Sequence, residues 1–443
     1  MKPSIFSRLS NKLADENKPL LANFFSLGLI QVINFLLSII TFPYIVRVVG
    51  IEYFGLITVA QAVMLYLNVF TDYGFNLTAT KDISVNRDNK TYLSTVFSEV
   101  IVTKAVLFLV SGIVLLLAFS FVPQIQVYST LIMLSLPIVL GQLLQPLWFF
   151  QGMEQMKYIT YINITTRALY AICIFAFINE ADDYLYINFI NGITAIIGGV
   201  LSFVIVFRTF GLKFKLPRFT QLTRQLKDGW SIFISTITVT IANNTNILIL
   251  SLFATPLVLG YYSIAEKVFL ITRTFAVILH QVVYPRICLL AQQPFKILAV
   301  FLNKILKLIL LTFLPLGIGV FVFADYIVFL IAGEYHSVAS TVLRIVCFAP
   351  LMAALNIPVA QTMLAFRLNR TFATIVSIGA AANIGLNLVL ASQFKAIGTA
   401  WSILLTEMLI TILLYVVFYK QYPQYSFFSL SRSGSQEQVK QKH

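Results

Sequence analysis

The sequence predicts an all-α polytopic membrane protein of about twelve transmembrane helices, arranged as two six-helix lobes with a parallel pseudo-twofold repeat. Three observations predict it. The 443 residues are 59% hydrophobic and only 11% charged, with a mean hydropathy of +0.87, whereas a soluble chain carries about 25% charged residues. The apolar residues gather into stretches of roughly 20, the length that crosses hydrocarbon as a helix. Two stretches of the first half also recur, in order, in the second. A β-barrel is excluded, because its strands would alternate polar and apolar residues and these segments are apolar on most faces.

Twelve spans are placed near 21–43, 55–73, 95–121, 129–149, 159–179, 185–207, 229–253, 258–284, 304–330, 340–362, 372–391 and 397–419. The net charge of +14 does not mark a nucleic-acid binder, since the basic residues lie in alternate loops rather than in one patch. One side holds Lys2 to Lys18, Lys81, Arg87, Lys90, Lys157, the run Arg208 to Lys227, Arg286, Lys296, Lys304, Arg367, Arg370 and the tail. The other holds Arg47, Lys395 and the acidic loop Glu180 to Asp183. Basic loops stay in the cytoplasm, so both termini are expected there. The chain then divides into a polar segment 1–20, an N-lobe 21–207, a basic linker 208–228, a C-lobe 229–419 and a polar tail 420–443. The N-terminus lacks the layout of a cleaved signal, which leaves the first span as the uncleaved targeting signal. An amphipathic surface helix is expected around Phe219–Leu226, facing anionic lipid with Arg218, Arg224 and Lys227.

The repeat rests on two matches. Gly55 to Val63 aligns with Gly260 to Val268, and Gln151 to Lys157 with Gln361 to Arg367. The first match sets Gln61 opposite Glu266. It also sets Gln31, Asn34, Ser38 and Thr41, one face of the first helix, opposite Thr236, Val239, Asn243 and Asn246. Such stripes serve either as glue between membrane helices or as cavity lining; their pairing across the repeat, broken only at Val239, favours lining.

Charges inside the spans carry the functional reading. The stretch Leu257–Pro285 is long enough to cross a bilayer, yet Glu266, Arg273 and His280, spaced by seven, share one of its faces and Lys267 adjoins them. A charge at mid-membrane costs from about 2.5 to over 10 kcal/mol unless it meets a partner or water. Lys104 and Arg167 lie within the third and fifth spans. Asp72, Glu99, Glu266 and Glu407 are the matching acids, open to service as structural counter-ions or as proton or sodium carriers. Asp325 with Arg344, and Lys307, are expected at interfaces, where long side chains snorkel. Cys173, Cys288 and Cys347 are far apart and form no metal or disulfide pattern; neither metal nor cofactor is expected. Tyr261, Tyr262 and Trp148 are read as lipid- or interface-facing rings.

The stretch Pro43-Tyr44-Ile-Val-Arg47-Val-Val-Gly50-Ile-Glu52-Tyr53-Phe54-Gly55 resembles the polysaccharide transporter family of bacterial lipid-linked oligosaccharide flippases. So does Gln145-Pro146-Leu-Trp148-Phe149-Phe150-Gln151-Gly152. The resemblance, strongest to O-antigen flippases, runs from about 20 to 420. It implies a twelve-helix fold similar to that of the multidrug and toxin extrusion (MATE) transporters, with two lobes around a cavity that opens alternately to either face. It further implies that an undecaprenyl-diphosphate-linked oligosaccharide repeat unit is moved from the cytoplasmic to the periplasmic leaflet of the inner membrane. Arg47 enters the candidate site by its motif position.

Lys104, Arg167, Lys267, Arg273, Asn34, Asn243 and Asn246 are assigned to the cavity from their own chemistry, because guanidinium and ammonium groups complement diphosphate oxygens. Proton or sodium coupling through Asp72, Glu99, Glu266 or Glu407, and association with other polysaccharide-assembly proteins, stay open. The chain is read as a non-enzyme: a membrane glycan polymerase needs a sizeable outer loop with catalytic groups, and these outer loops are short. A multidrug-type exporter of the same fold is the other alternative, one that would want a cavity dominated by carboxylates and aromatics.

Overall fold

A computed structural model describes the backbone of residues 5–121, 126 and 128–423, and the side chains within it from Leu37 onward except Ala242, Asn243 and Phe295. Every described secondary-structure element is helical. Among the described residues, nine helices are long and apolar enough to cross a membrane. Two of them, Leu37–Val85 and Asn369–Gln421, each contain a pair of predicted spans joined through a single non-helical residue. The predicted seventh span, 229–253, is divided between the helices Phe219–Asn244 and Asn246–Ser251, and neither is among the nine.

The joints have local causes. Gly50 breaks the helix Ile5–Asp72 at φ 82° and ψ 162°, a conformation that an L side chain resists. No neighbour lies within 4 Å of where its Cβ would stand, so dihedral freedom and not space is what the position requires. Lys395 takes φ 52° between the eleventh and twelfth spans. There the Cβ of any larger residue at 398 would fall 2.0 Å from the Leu390 carbonyl oxygen, so Gly398 lets the two helices turn back on each other directly.

The chain forms two compact units, 1–241 and 242–443. The stretch 208–228, expected as a linker, is strapped along the helix Lys90–Phe121 of the first unit. The Lys213 and Lys215 backbone N–H groups donate to Ser94 Oγ at 3.1 Å and Ser98 Oγ at 3.0 Å. The Gln225 amide donates to Glu99 Oε2 at 2.8 Å. From Phe219 the chain runs as one helix to Asn244, so the expected surface helix is its opening turns.

Both family-like motifs have structural work. Tyr44 Oη donates to the Ile178 carbonyl at 2.8 Å, and Tyr53 stacks on Tyr184 at 4.1 Å, tying the first two spans to the end of the fifth and start of the sixth. Gln145 and Pro146 interrupt the fourth span. Trp148, Phe149 and Phe150 are then fully buried in an aromatic core with Phe97, Phe203, Phe207 and Phe210. Trp148 is therefore not lipid-facing, and neither is Tyr262, 1% exposed; packing within each unit, which periodicity cannot show, claims both.

The helices Ser129–Leu144 and Tyr184–Thr209 approach through small residues, the device by which membrane helices gain contact without a hydrophobic driving force. A Cβ at Gly192 would lie 2.6 Å from the Ile138 backbone nitrogen, and one at Gly141 2.7 Å from backbone at Ala195. Backbone cannot yield as a side-chain tip can. Gly192→Ala should therefore destabilise the first unit by about 1–3 kcal/mol, seen as a lower Tm of the detergent-purified protein. Gly112→Ala, where nothing lies within 4 Å, should be neutral or slightly stabilising.

Candidate functional site

The charged side chains of the spans meet hydrocarbon on most sides, so each needs a partner, water or the surface. In the first unit Lys104 Nζ lies 2.9 Å from Asp72 Oδ1, the two side chains 4% and 25% exposed. Asn76 Nδ2 donates to the other carboxylate oxygen at 2.9 Å. The pair links the end of the helix Ile5–Asp72 to the middle of Lys90–Phe121. Glu99, buried on that same helix, holds the linker through Gln225. In this unit Asp72 and Glu99, two of the candidate ion-carrying acids, are each held by a partner. Arg167 differs. It lies mid-way along the helix Met156–Phe177, exposed, and makes no ion pair among the described residues. Arg47 is exposed near the end of the first span.

In the second unit Arg273 Nη2 stands 3.9 Å from Glu407 Oε1, at the outer limit of an ion pair, with the side chains 30% and 14% exposed. Its guanidinium also sits 5.8 Å from the Phe269 ring centroid. Glu266 accepts a hydrogen bond from Tyr262 Oη at 3.0 Å; its neighbour Lys267 is half-buried. His280 is exposed, and its carbonyl accepts from Gln361 Nε2 at 3.3 Å. Asn246 is buried, and Asn387 Nδ2 donates to its Oδ1 at 3.1 Å and to its carbonyl at 3.3 Å. Asn246 thus acts as glue between helices rather than as an open polar surface. The side chains of Asn34 and Asn243 lie outside the described residues. At the expected outer interface, Arg344 Nη2 meets Asp325 Oδ2 at 2.6 Å.

The structure therefore brings Lys104 together with Asp72 and Arg273 together with Glu407. Sequence reasoning missed a buried polar hub: Gln61 Nε2 donates to Asn188 Oδ1 at 2.9 Å, and Asn188 Nδ2 donates to Ser135 Oγ at 2.9 Å. A signal for it existed, since the repeat set Gln61 opposite Glu266. Among the described residues, no group of three His, Cys, Asp or Glu is disposed to hold a metal ion.

Fold and charge placement define a multi-pass helical membrane protein with basic groups held within its spans. The solved structures similar to it share that fold. The lipid II flippase MurJ in an inward closed conformation is 15% identical, covers 91% of this chain and 90% of its own, and has a TM-score of 0.68. An inward-facing multidrug resistance MATE family transporter of the MOP superfamily is 10% identical, covers 88% and 94%, and scores 0.70. A MOP superfamily transporter from Pyrococcus furiosus, described by the reverse polarity of its binding pocket, scores 0.59 at 10% identity, covering 92% and 96%.

The model of the polysaccharide biosynthesis protein family matches residues 20–290. A relative from Escherichia coli (strain K12), named there as a candidate O-antigen transporter, is 31% identical over 402 residues, 88% of this chain and 95% of its own. A like-named protein of Shigella dysenteriae is 23% identical over 397 residues, 88% and 98%. The chain belongs to the polysaccharide biosynthesis protein family.

Breaking the buried pair from one side strands a charge. Lys104→Met should cost about 3 kcal/mol, the low end of the range for such breaks because Asp72 is partly exposed. Adding Asp72→Asn to it should restore most of the loss in a thermal-stability assay. A double variant no more stable than the single would show that the pair is not the source of the penalty.

Proposed function

We propose that the chain is a flippase that moves undecaprenyl-diphosphate-linked O-antigen repeat units from the cytoplasmic to the periplasmic leaflet of the inner membrane by alternating access. The observation that carries this reading is Arg167: a permanently charged guanidinium on a spanning helix, exposed and without an ion pair among the described residues. Arg273, 3.9 Å from Glu407 Oε1, is the corresponding group of the second unit. A guanidinium presents planar donors that match phosphate oxygens, so a diphosphate is a cargo that would stabilise both. The family of the chain and the names of its relatives in Escherichia coli and Shigella dysenteriae support the same cargo class.

Direction follows from where the cargo is made and from charge. With the basic loops in the cytoplasm, both termini are cytoplasmic and the cargo enters from that leaflet. Expelling an anion from a negative interior is favoured by about 2.3 kcal/mol per charge per 100 mV. A site that neutralises its cargo moves that charge on the return step instead. A multidrug-type exporter is the weaker reading, since Arg167 and Arg273 would repel a cationic drug. The transporter names of its relatives support reading the chain as a transporter rather than an enzyme.

Arg167→Ala and Arg273→Ala should each lower surface polysaccharide by about tenfold or more, the loss expected when charge-assisted hydrogen bonds to cargo are removed, while protein abundance in the membrane stays near normal. Loss of the protein itself would assign these arginines a structural role. Reconstituted flipping that responds to neither a pH nor a sodium gradient would exclude antiport through Glu266 or Glu407.

A further inference from the structure

On the face that carries the basic loops, the helix Ile5–Asp72 ends in two left-handed residues, Tyr73 at φ 49° and Gly74 at φ 83°. For a tyrosine that conformation costs on the order of 1 kcal/mol, and the surroundings over-determine it. Its ring stacks on Phe233 at 4.6 Å with an interplanar angle of 8°. The helix Phe219–Asn244 is seated on the break: a Cβ at Gly74 would lie 2.5 Å from Ile232 Cγ2, and a Cβ at Gly229 3.0 Å from Tyr73 Cδ1. Gly74 combines a positive φ with that close approach, and a side chain at 229 would have to push Tyr73 aside.

Beside it opens a cavity of about 570 Å³ lined by Tyr73, Thr223, Arg224, Lys227, Asp228 and Trp230, among others. That volume lies within the range of roughly 300–1,000 Å³ typical of small-molecule sites. Trp230 is 56% exposed, an apolar ring offered to solvent at a polar rim. Arg224 and Asp228 face each other at 3.7 Å, both well exposed, a separation at which neither charge is firmly engaged. Asp82 is the other acid within electrostatic reach of Arg224 and Asp228.

We infer that this cavity is a loading site for the sugar-phosphate headgroup of a lipid-linked saccharide, occupied before the cargo reaches the basic groups of the spans. The inference rests on the flippase reading. A sugar ring presents a flat C–H face that packs on an exposed aromatic face such as that of Trp230, and hydroxyls that Asp228 and Thr223 can hydrogen-bond. The phosphate takes Arg224 and Lys227. A plain anionic phospholipid would use the two basic groups but neither the rings nor the carboxylate, which is why the saccharide is the better match. Tyr73 follows Asp72 directly, so the loaded site and the Asp72–Lys104 pair share one backbone joint.

The full-length protein in lipid nanodiscs tests this by tryptophan fluorescence, Trp230→Phe identifying the Trp230 contribution. The probes are a polyprenyl diphosphate carrying one N-acetylhexosamine, the same polyprenyl diphosphate without sugar, and phosphatidylglycerol. The expected result is a response to the sugar-linked probe that disappears in Trp230→Phe, with little response to phosphatidylglycerol. Arg224→Gln with Lys227→Gln should weaken the probe's affinity about tenfold, equal to about 1.4 kcal/mol. Trp230→Ala should weaken the sugar-linked probe more than the sugar-free one. An equal response to phosphatidylglycerol overturns the inference in favour of a general anionic-lipid contact. Unchanged affinity in the Arg224/Lys227 variant, with flipping that still needs Arg167 and Arg273, overturns the loading site and leaves the flippase standing. Failure of the wild-type protein to bind or flip any saccharide probe overturns both.

Discussion

Hydrocarbon offers no solvation to a charge, and the architecture of each unit can be understood from how it meets that constraint. Lys104 is almost wholly buried, and it is tolerated because Asp72 and the Asn76 amide satisfy one another around it. Glu99 is buried because the strapped linker brings Gln225 to it. Glu266 has a tyrosine hydroxyl, and Arg273 a carboxylate and an aromatic face. Each of these arrangements crosses between helices or between turns of one helix, so the charges also fix which elements lie side by side. Arg167 stands outside the pattern: it is exposed on the helix Met156–Phe177 and makes no ion pair among the described residues.

Uncharged polar groups obey the same rule in milder form. Asn188 and Asn387 each hold a partner from a distant stretch of chain, and most spanning serines and threonines return their hydroxyls to the carbonyl one turn back, as Ser98, Thr103 and Thr406 do. Where direction must change, single left-handed residues do it: Gly50, the Tyr73-Gly74 pair and Lys395. These joints leave little loop to expose, and glycine at Gly74, Gly192, Gly229 and Gly398 lets the neighbouring backbone close in.

The family-like motifs gain a physical explanation from this. The tyrosines and Gly50 of the first motif set the break between the first two spans and tie it to the fifth and sixth. The Gln-Pro-Leu-Trp-Phe-Phe stretch of the second ends the fourth span and fills the aromatic core of the first unit. Both serve the scaffold, and the first also carries Arg47, which is exposed.

By itself the amino-acid sequence determined the solvent of this protein, the helical class, the number and order of the spans, and the orientation expected from its basic loops. Those properties follow from hydropathy over windows of about 20 residues and from charge counts, both local in the chain. The sequence also marked which charges must be accommodated. Only the tertiary structure decided how: that Lys104 belongs to Asp72, that Glu99 holds the linker, that Asn246 is glue, that Trp148 and Tyr262 are core, and that the seventh span's opening turns pack with the first unit. Partners lie 32 residues apart for Lys104 and Asp72 and 126 apart for Gln225 and Glu99, and no periodicity reaches that far. Which buried charge meets which is settled by packing between helices, and that is information a linear pattern does not contain.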